Sequence, residues 1–200
     1  MARAKLDVDL SSLGLVSSFT DQQASAAGLT RALRDRLIED GAVIRIARGL
    51  YRRTDIGAGD LDLIEAALRS PQATICLTSA LAIHELTDEI PAALDLALPR
   101  RKWHPTGPIV ARWHSFDPET FDIGRHLVEV DTGIFIGCYD AERSIIDAFH
   151  TRGLTGTDVA VEALKRWLRR PGSQPAQLVD MATSWPRALV PLRRALEVLL

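Results

Sequence analysis

Residues 19–53, FTDQQASAAGLTRALRDRLIEDGAVIRIARGLYRR, constrain the fold of this chain more than any other stretch. They divide into a short helical segment, a Gly-centred turn, a second helical segment and a two-stranded ribbon. Thr20 suits the N-cap of the first helix, because its hydroxyl can accept from an unpaired first-turn N–H, and Asp21 suits the positive end of the helix dipole. Gly28 ends that helix, and Ala24 and Ala27 are small enough for a second helix to cross closely. Thr30 caps the next helix, expected over residues 30–40, and Gly41 supplies the left-handed residue that ends it. Residues 42–47 and 50–53 are β-prone, with Arg48-Gly49 as the tight turn between them. Two helices joined by a short Gly-bearing turn make a helix-turn-helix, and the ribbon behind them makes it winged.

Charge points the same stretch toward DNA. Residues 31–53 carry seven arginines against Asp35, Glu39 and Asp40, while the whole chain has a formal net charge of −2. Leu33 and Leu37 share a face and are expected to go inward. Thr30, Arg31, Arg34 and Asp35 lie near the start of the second helix, the part that meets base edges in the major groove of helix-turn-helix complexes. An arginine there can hold guanine by two hydrogen bonds, discriminating by about 1–3 kcal/mol. Arg45, Arg48, Arg52 and Arg53 along the ribbon suit phosphates, which add salt-dependent affinity without sequence information. The plainer alternative is a solvated amphipathic helix with arginines serving solubility. Only three of the 24 basic residues are lysines, so an Arg-rich run alone is weak evidence.

The remainder is expected to form a second domain. Residues 1–18 hold Leu6, Leu10, Leu13 and Val16 on related faces and read as the first helix of the winged fold, imperfect at Gly14. Residues 54–59, TDIGAG, are the expected boundary, giving a DNA-binding domain over 1–55 and an α+β domain over 60–200. Helices are expected near 60–70 and 79–86, the latter capped by Thr78 or Ser79, and residues 73–77 suit a short buried strand or a lead-in. Residues 94–98, 109–115, 126–130 and 133–138 alternate as strands of a small, mostly antiparallel sheet. The loop over 99–108 concentrates Arg100, Arg101 and Lys102 beside Trp103 and His104. Helices follow over 141–151, 158–170, 176–184 and 187–200, the last presenting Arg187, Arg193 and Arg194. The fold class is therefore α+β, with an N-terminal winged helix-turn-helix, a small sheet and C-terminal helices.

With 46% hydrophobic and 25% charged residues the composition suits a soluble globular protein. Cys76 and Cys138 are far apart without metal-ligand spacing and read as buried thiols of a reducing cytosol. No signal-peptide pattern and no membrane-length apolar run occur, so a cytoplasmic protein without membrane contact is expected. Catalysis is not expected. His84, His104, His114, His126 and His150 are scattered, and phosphate-loop and nucleophile-elbow motifs are absent. A metal-dependent nuclease would need clustered carboxylates. Glu129 and Asp131 share a strand face, but none of the chain's lysines lies beside them, and Asp140, Glu142 and Asp147 read as helix acids. No cofactor or metal is implied.

Three patches resemble the AbiEi-type antitoxins, transcriptional regulators of bacterial abortive-infection and toxin–antitoxin operons. They are the N-terminal stretch with Ala27-Gly28-Leu29 and Arg48-Gly49-Leu50-Tyr51, then Ser79-Ala80-Leu81-Ala82-Ile83-His84, then Glu142-Arg143-Ser144-Ile145-Ile146-Asp147. The likeness spans roughly residues 15–150; the helices beyond 152 match in type alone. It implies a two-domain antitoxin whose winged helix represses its own promoter, together with a cognate toxin of the nucleotidyltransferase kind. Residue by residue, it places Arg31 and Arg34 at DNA and Arg48 at the wing tip. Ser79, His84, Glu142 and Asp147 read better as structural residues than as functional ones. A single winged helix contacts few bases, so two copies on inverted repeats, or added contacts from the second domain, are expected. Arg100, Arg101, Lys102, Arg187, Arg193 and Arg194 are candidates for such contacts or for a partner protein. The alternative reading is an antitoxin that sequesters its toxin by direct contact, with DNA binding secondary.

Overall fold

The structure, a computed structural model, describes residues 8–106 and 109–200. The architecture is mixed α+β, and the chain resolves into two compact units. The first takes residues up to 71 with 105–109 and 128–136; the second takes 72–104, 110–127 and 137–200.

In the first unit β1 (Ser18–Thr20), α1 (Asp21–Ala26), α2 (Arg31–Glu39), β2 (Val43–Ala47), β3 (Leu50–Arg53) and α3 (Leu61–Arg69) follow in order. The strands form an antiparallel sheet ordered β1-β3-β2. Thr20 starts α1 with a full capping box: its Oγ1 accepts from Gln23 N at 3.1 Å while Gln23 Oε1 accepts from Thr20 N at 2.8 Å. Gly28 takes φ +80°, a conformation that glycine reaches at little cost, and Leu29 N then closes the turn on Ala24 O at 2.9 Å. Thr30 restarts the helix by accepting from Leu33 N at 3.3 Å. Phe19, Ala24, Leu29, Leu37 and Val43 form the core of this half, and the rings of Phe19 and Tyr51 stack at 5.7 Å. In α3, Asp60 caps the first turn, and Ile64, Ala66 and Ala67 are buried.

The helix expected over residues 1–18 is corrected for its described part; residues 1–7 lie outside the described residues. Residues 10–14 form turns. Asp9 Oδ1 accepts from Ser11 N at 3.0 Å and Ser12 N at 3.3 Å, local bonds that compete with a helix, and Gly14 sits at φ +71°. Leu10 and Leu15 still reach the core. The chain then enters β1, three residues long and too short to show alternation in the sequence.

The second unit contains β4 (Thr74–Ile75), α4 (Leu77–Ile83), β5 (Leu94–Pro99), β6 (Ala111–Phe116), β7 (Arg125–Asp131), β8 (Ile134–Tyr139), α5 (Ala141–His150), α6 (Arg152–Thr155), α7 (Thr157–Leu168), α8 (Pro175–Met181) and α9 (Pro186–Leu199), with the 128–136 tip of β7–β8 counted in the first. The sheet order is β6-β5-β4-β8-β7. The expectation of a mostly antiparallel sheet is corrected to a mixed one: β4 pairs antiparallel with β5, but β4–β8 and β5–β6 are parallel. Leu94 lies opposite Ala111 and Pro99 opposite Phe116, so β6 starts at the same end of the sheet as β5. Strand direction of this kind is not set by the local sequence of either strand, which alternates in the same way whether its neighbour runs parallel or antiparallel.

Helix α5 is buried from Arg143 to Phe149, so it is the central helix, in contact with α4, α7 and α9. Around it Leu81, Leu164, Trp167, Leu178 and Leu192 complete the core. The expected cap of α4 is also corrected. Cys76 holds the cap position without a side-chain bond, and Ser79 Oγ instead accepts from Asp95 N at 2.9 Å, anchoring β5. His84 Nε2 meets Tyr139 O at 2.7 Å, and Glu142 accepts from Trp167 Nε1 at 3.2 Å. Cys76 and Cys138 are buried free thiols, both pushed up by burial, Cys138 to about 11.

Burial, outweighing the neighbouring Arg143, raises the Asp147 carboxyl to about 6. A folded-state value above the unfolded one favours the protonated folded protein. The stabilisation is complete below about pH 4 and lost as pH rises through about 6. Relative to Asp147→Asn, the native protein is expected to lose about 2–3 kcal/mol of stability between pH 4 and pH 7. Urea denaturation of both proteins at the two pH values measures this; an unchanged difference would refute it.

Among the described residues no helix is long and apolar enough to cross a membrane.

Candidate nucleic-acid interface

The helix pair and ribbon of the first unit hold the residues expected to face DNA, and the fold divides them into two groups. Arg31 opens α2 with its side chain 90% exposed and Asp35 Oδ2 4.0 Å away, a contact in water that holds neither group firmly. Thr30, Ala32, Asp35 and Glu39 are exposed on the same helix. Its open strip therefore carries one arginine with two acids. Arg48 is exposed at the ribbon tip, and Arg45 is exposed on β2 with its Nε donating to Ala47 O at 3.3 Å.

The other three arginines are engaged within the fold. Arg34 turns back, 11% exposed, and its Nη1 donates to Leu29 O at 2.6 Å and Ser25 Oγ at 3.3 Å. Its Nη2 lies 3.5 Å from Asp21 Oδ1, which also accepts from the Tyr51 hydroxyl at 2.9 Å. Asp21 N donates to Gly49 O at 2.9 Å, so Arg34, Asp21 and Tyr51 tie the helix turn to the ribbon. The Tyr51 hydroxyl is raised by burial and then by its bond to Asp21. Arg52 is buried, paired with Asp131 and donating to Ser18 Oγ and Gly57 O. Arg53 reaches Asp55 at 2.6 Å, Ser11 Oγ at 2.6 Å and Leu15 O at 3.1 Å. That guanidinium holds the Asp55 carboxyl below its ordinary value.

The Asp21–Tyr51 bond is a structural link of this candidate face that local sequence signals do not announce. Asp21 reads in sequence as a helix-dipole acid, and the two residues lie 30 positions apart. Position 131, considered with Glu129 for a nuclease, is occupied by the Arg52 pair, and Glu129 accepts from Gly133 N at 2.8 Å. Among the described residues no group of three or more His, Cys, Asp or Glu side chains gathers as a metal-ligand set.

In the second unit the basic loop lies open. Arg100 is 3.5 Å from Asp117, and Arg101, Lys102 and Trp103 are exposed. Arg187, Arg193 and Arg194 are exposed on α9, and Arg187 O accepts from Arg152 Nη1 at 3.3 Å.

No family model and no curated protein matches this chain. The fold is similar to that of the RV2827C protein from Mycobacterium tuberculosis in its crystal structure, with a TM-score of 0.52 and 17% identity over 93% of this chain and 74% of that one. At this identity the likeness concerns the fold alone: the chain has an α+β architecture shared with that protein.

Proposed function

We propose that the protein is a DNA-binding transcriptional repressor that acts as the antitoxin of a bacterial toxin–antitoxin pair. In this reading α1, α2 and the β2–β3 ribbon are a winged helix-turn-helix, and α2 enters the major groove. The observation that carries it is the capped helix, left-handed Gly28, second capped helix and ribbon, with Arg31 and Arg48 both open to solvent. Arg31 stands where a base-reading residue stands in helix-turn-helix complexes, and Arg48 where a wing meets phosphate. Arg34 acts by holding the two helices and the ribbon in register. The sequence likeness to AbiEi-type antitoxins supplies the operon context: a double-stranded promoter with inverted repeats, a nucleotidyltransferase toxin as functional partner, and the cytoplasm as location.

A gel shift on the protein's own upstream DNA, with scrambled competitor and a salt titration, tests the reading. A sequence-preferring shift that weakens with salt is expected. Arg31→Ala should cost about 1–3 kcal/mol on the specific site and relax preference. Arg48→Ala should weaken binding to all duplexes and reduce the salt slope by about 1. Equal losses on specific and scrambled DNA for both variants would sink that division of labour.

The alternative, an antitoxin that binds its toxin directly, draws on the exposed Val190 and Val198 of α9. A complex surviving a high-salt wash, with no gel shift from folded protein, would put that reading first.

A further inference from the structure

The turn that leaves β5 presents two cations and an aromatic ring that DNA recognition by the first unit does not use. Arg100 N donates to Phe116 O at 2.7 Å and Lys102 N to Pro99 O at 3.1 Å, which fixes a tight turn with Arg101 at φ +72°. At its far end the His104 ring stacks on Trp113 at 6.1 Å, and His104 Nε2 meets Ser115 Oγ at 3.1 Å. Between these anchors Arg101, Lys102 and Trp103 are all exposed, Trp103 by 72%. A left-handed arginine is unfavourable in itself, and the anchored turn holds it there.

The acids beside this turn are already engaged. Asp117 lies 3.5 Å from Arg100, and the buried Asp95 pairs with Arg112 and His114. Among the described residues Arg101 and Lys102 meet no acid, and Trp103 makes no ring or cation contact. An open indole beside two unanswered cations suits a partner with both flat faces and regular negative charge. An acidic protein segment supplies the charge without the flat face, and an apolar peptide needs a groove where this turn offers one projecting ring. A duplex carries phosphates but keeps its base faces inside the stack. A single strand exposes both, and base–aromatic stacking beside cations holds single strands without sequence readout.

We propose that the 100–104 turn of the second unit binds single-stranded nucleic acid, with an unpaired base on the Trp103 ring and the flanking phosphates at Arg101 and Lys102. About two phosphate contacts give a shallow salt slope, near −1.4 for a single strand. The binding is separate from duplex recognition by α2 and the ribbon, so either can fail while the other stands.

Fluorescence anisotropy of the full chain with labelled twelve-nucleotide oligothymidylate and oligouridylate, at about 50 mM salt, tests it. Saturable binding of at least one strand is expected, with a Kd below about 100 μM. The tighter of the two names the strand type, and equal affinities mean that the sugar is not read. Trp103→Ala should weaken binding about tenfold and Trp103→Phe less, since a smaller ring still stacks. Arg101→Gln with Lys102→Gln should weaken it and flatten the salt slope. These side chains are exposed, so circular dichroism of each variant should match the native protein. Arg31→Ala with Arg48→Ala should move single-strand affinity by less than twofold. No binding of either strand, an affinity unmoved by Trp103→Ala, or a loss caused by the Arg31 and Arg48 substitutions would each overturn the proposal. So would a Trp103-dependent affinity as high for a blunt duplex, for polyglutamate or for phosphatidylserine vesicles.

Discussion

Arg143→Ala is expected to destabilise the second unit by about 3–5 kcal/mol, the scale for removing one partner of a buried ion pair. Arg143 is fully buried in the central helix α5. Its Nε donates to Asp147, and its Nη1 donates to the carbonyls of Thr120 and Ile123, each at 2.7 Å. The guanidinium carbon lies 4.2 Å from the ring centres of both Tyr139 and Trp185, so the planar group fills a slot between two aromatic faces. Alanine would leave two carbonyls and the Asp147 carboxylate without their donor and open a void between the rings. Domains of this size are stable by only about 5–15 kcal/mol, so the loss is a large share of the total. Arg143→Lys should be destabilised as well, because an ammonium neither stacks in the slot nor reaches the three acceptors together. Urea denaturation followed by far-ultraviolet circular dichroism measures both variants. A midpoint within error of the native protein for Arg143→Lys would show that charge alone suffices there.

Arg52→Ala is expected to cost the first unit a similar amount, about 3–5 kcal/mol. Arg52 and Asp131 have side chains only 5% and 7% exposed, and the guanidinium also donates to Ser18 Oγ and Gly57 O. Removing the arginine leaves a buried carboxylate unpaired. On the proposed DNA-binding reading, the variant should therefore lose that binding through loss of the folded unit, with its thermal midpoint falling in parallel. Arg48→Ala should behave oppositely, with an unchanged midpoint and weaker binding. Arg52→Met combined with Asp131→Leu should recover much of the lost stability, since a buried pair is often replaced by apolar side chains at little net cost. An Arg52→Ala protein with native stability and reduced salt dependence of binding would restore the phosphate-contact role expected from the ribbon's charge.

What the chain states locally was legible in it. The caps at Thr20 and Thr30 and the turn at Gly28 depend on neighbours three to five positions away. The helices of the second unit follow a 3.6-residue apolar period, as with Ile145, Ile146 and Phe149 on α5. Such signals involve contacts a few residues apart, and they placed most elements within a few positions. The short β1 and the direction of β6 beside β5 were not legible, because pairing is decided by partners far along the chain.

The arginines show the division most clearly. Seven of them in residues 31–53 look alike in sequence, yet Arg31 and Arg48 face water while Arg34, Arg52 and Arg53 are engaged inside the fold. The Arg52 partner lies 79 residues away. Composition and period determined that this segment would be a basic helix pair with a ribbon. Only the tertiary structure decided which guanidiniums remain for a ligand, because a long flexible cation takes the nearest buried acceptor, and that acceptor is chosen by how distant segments pack.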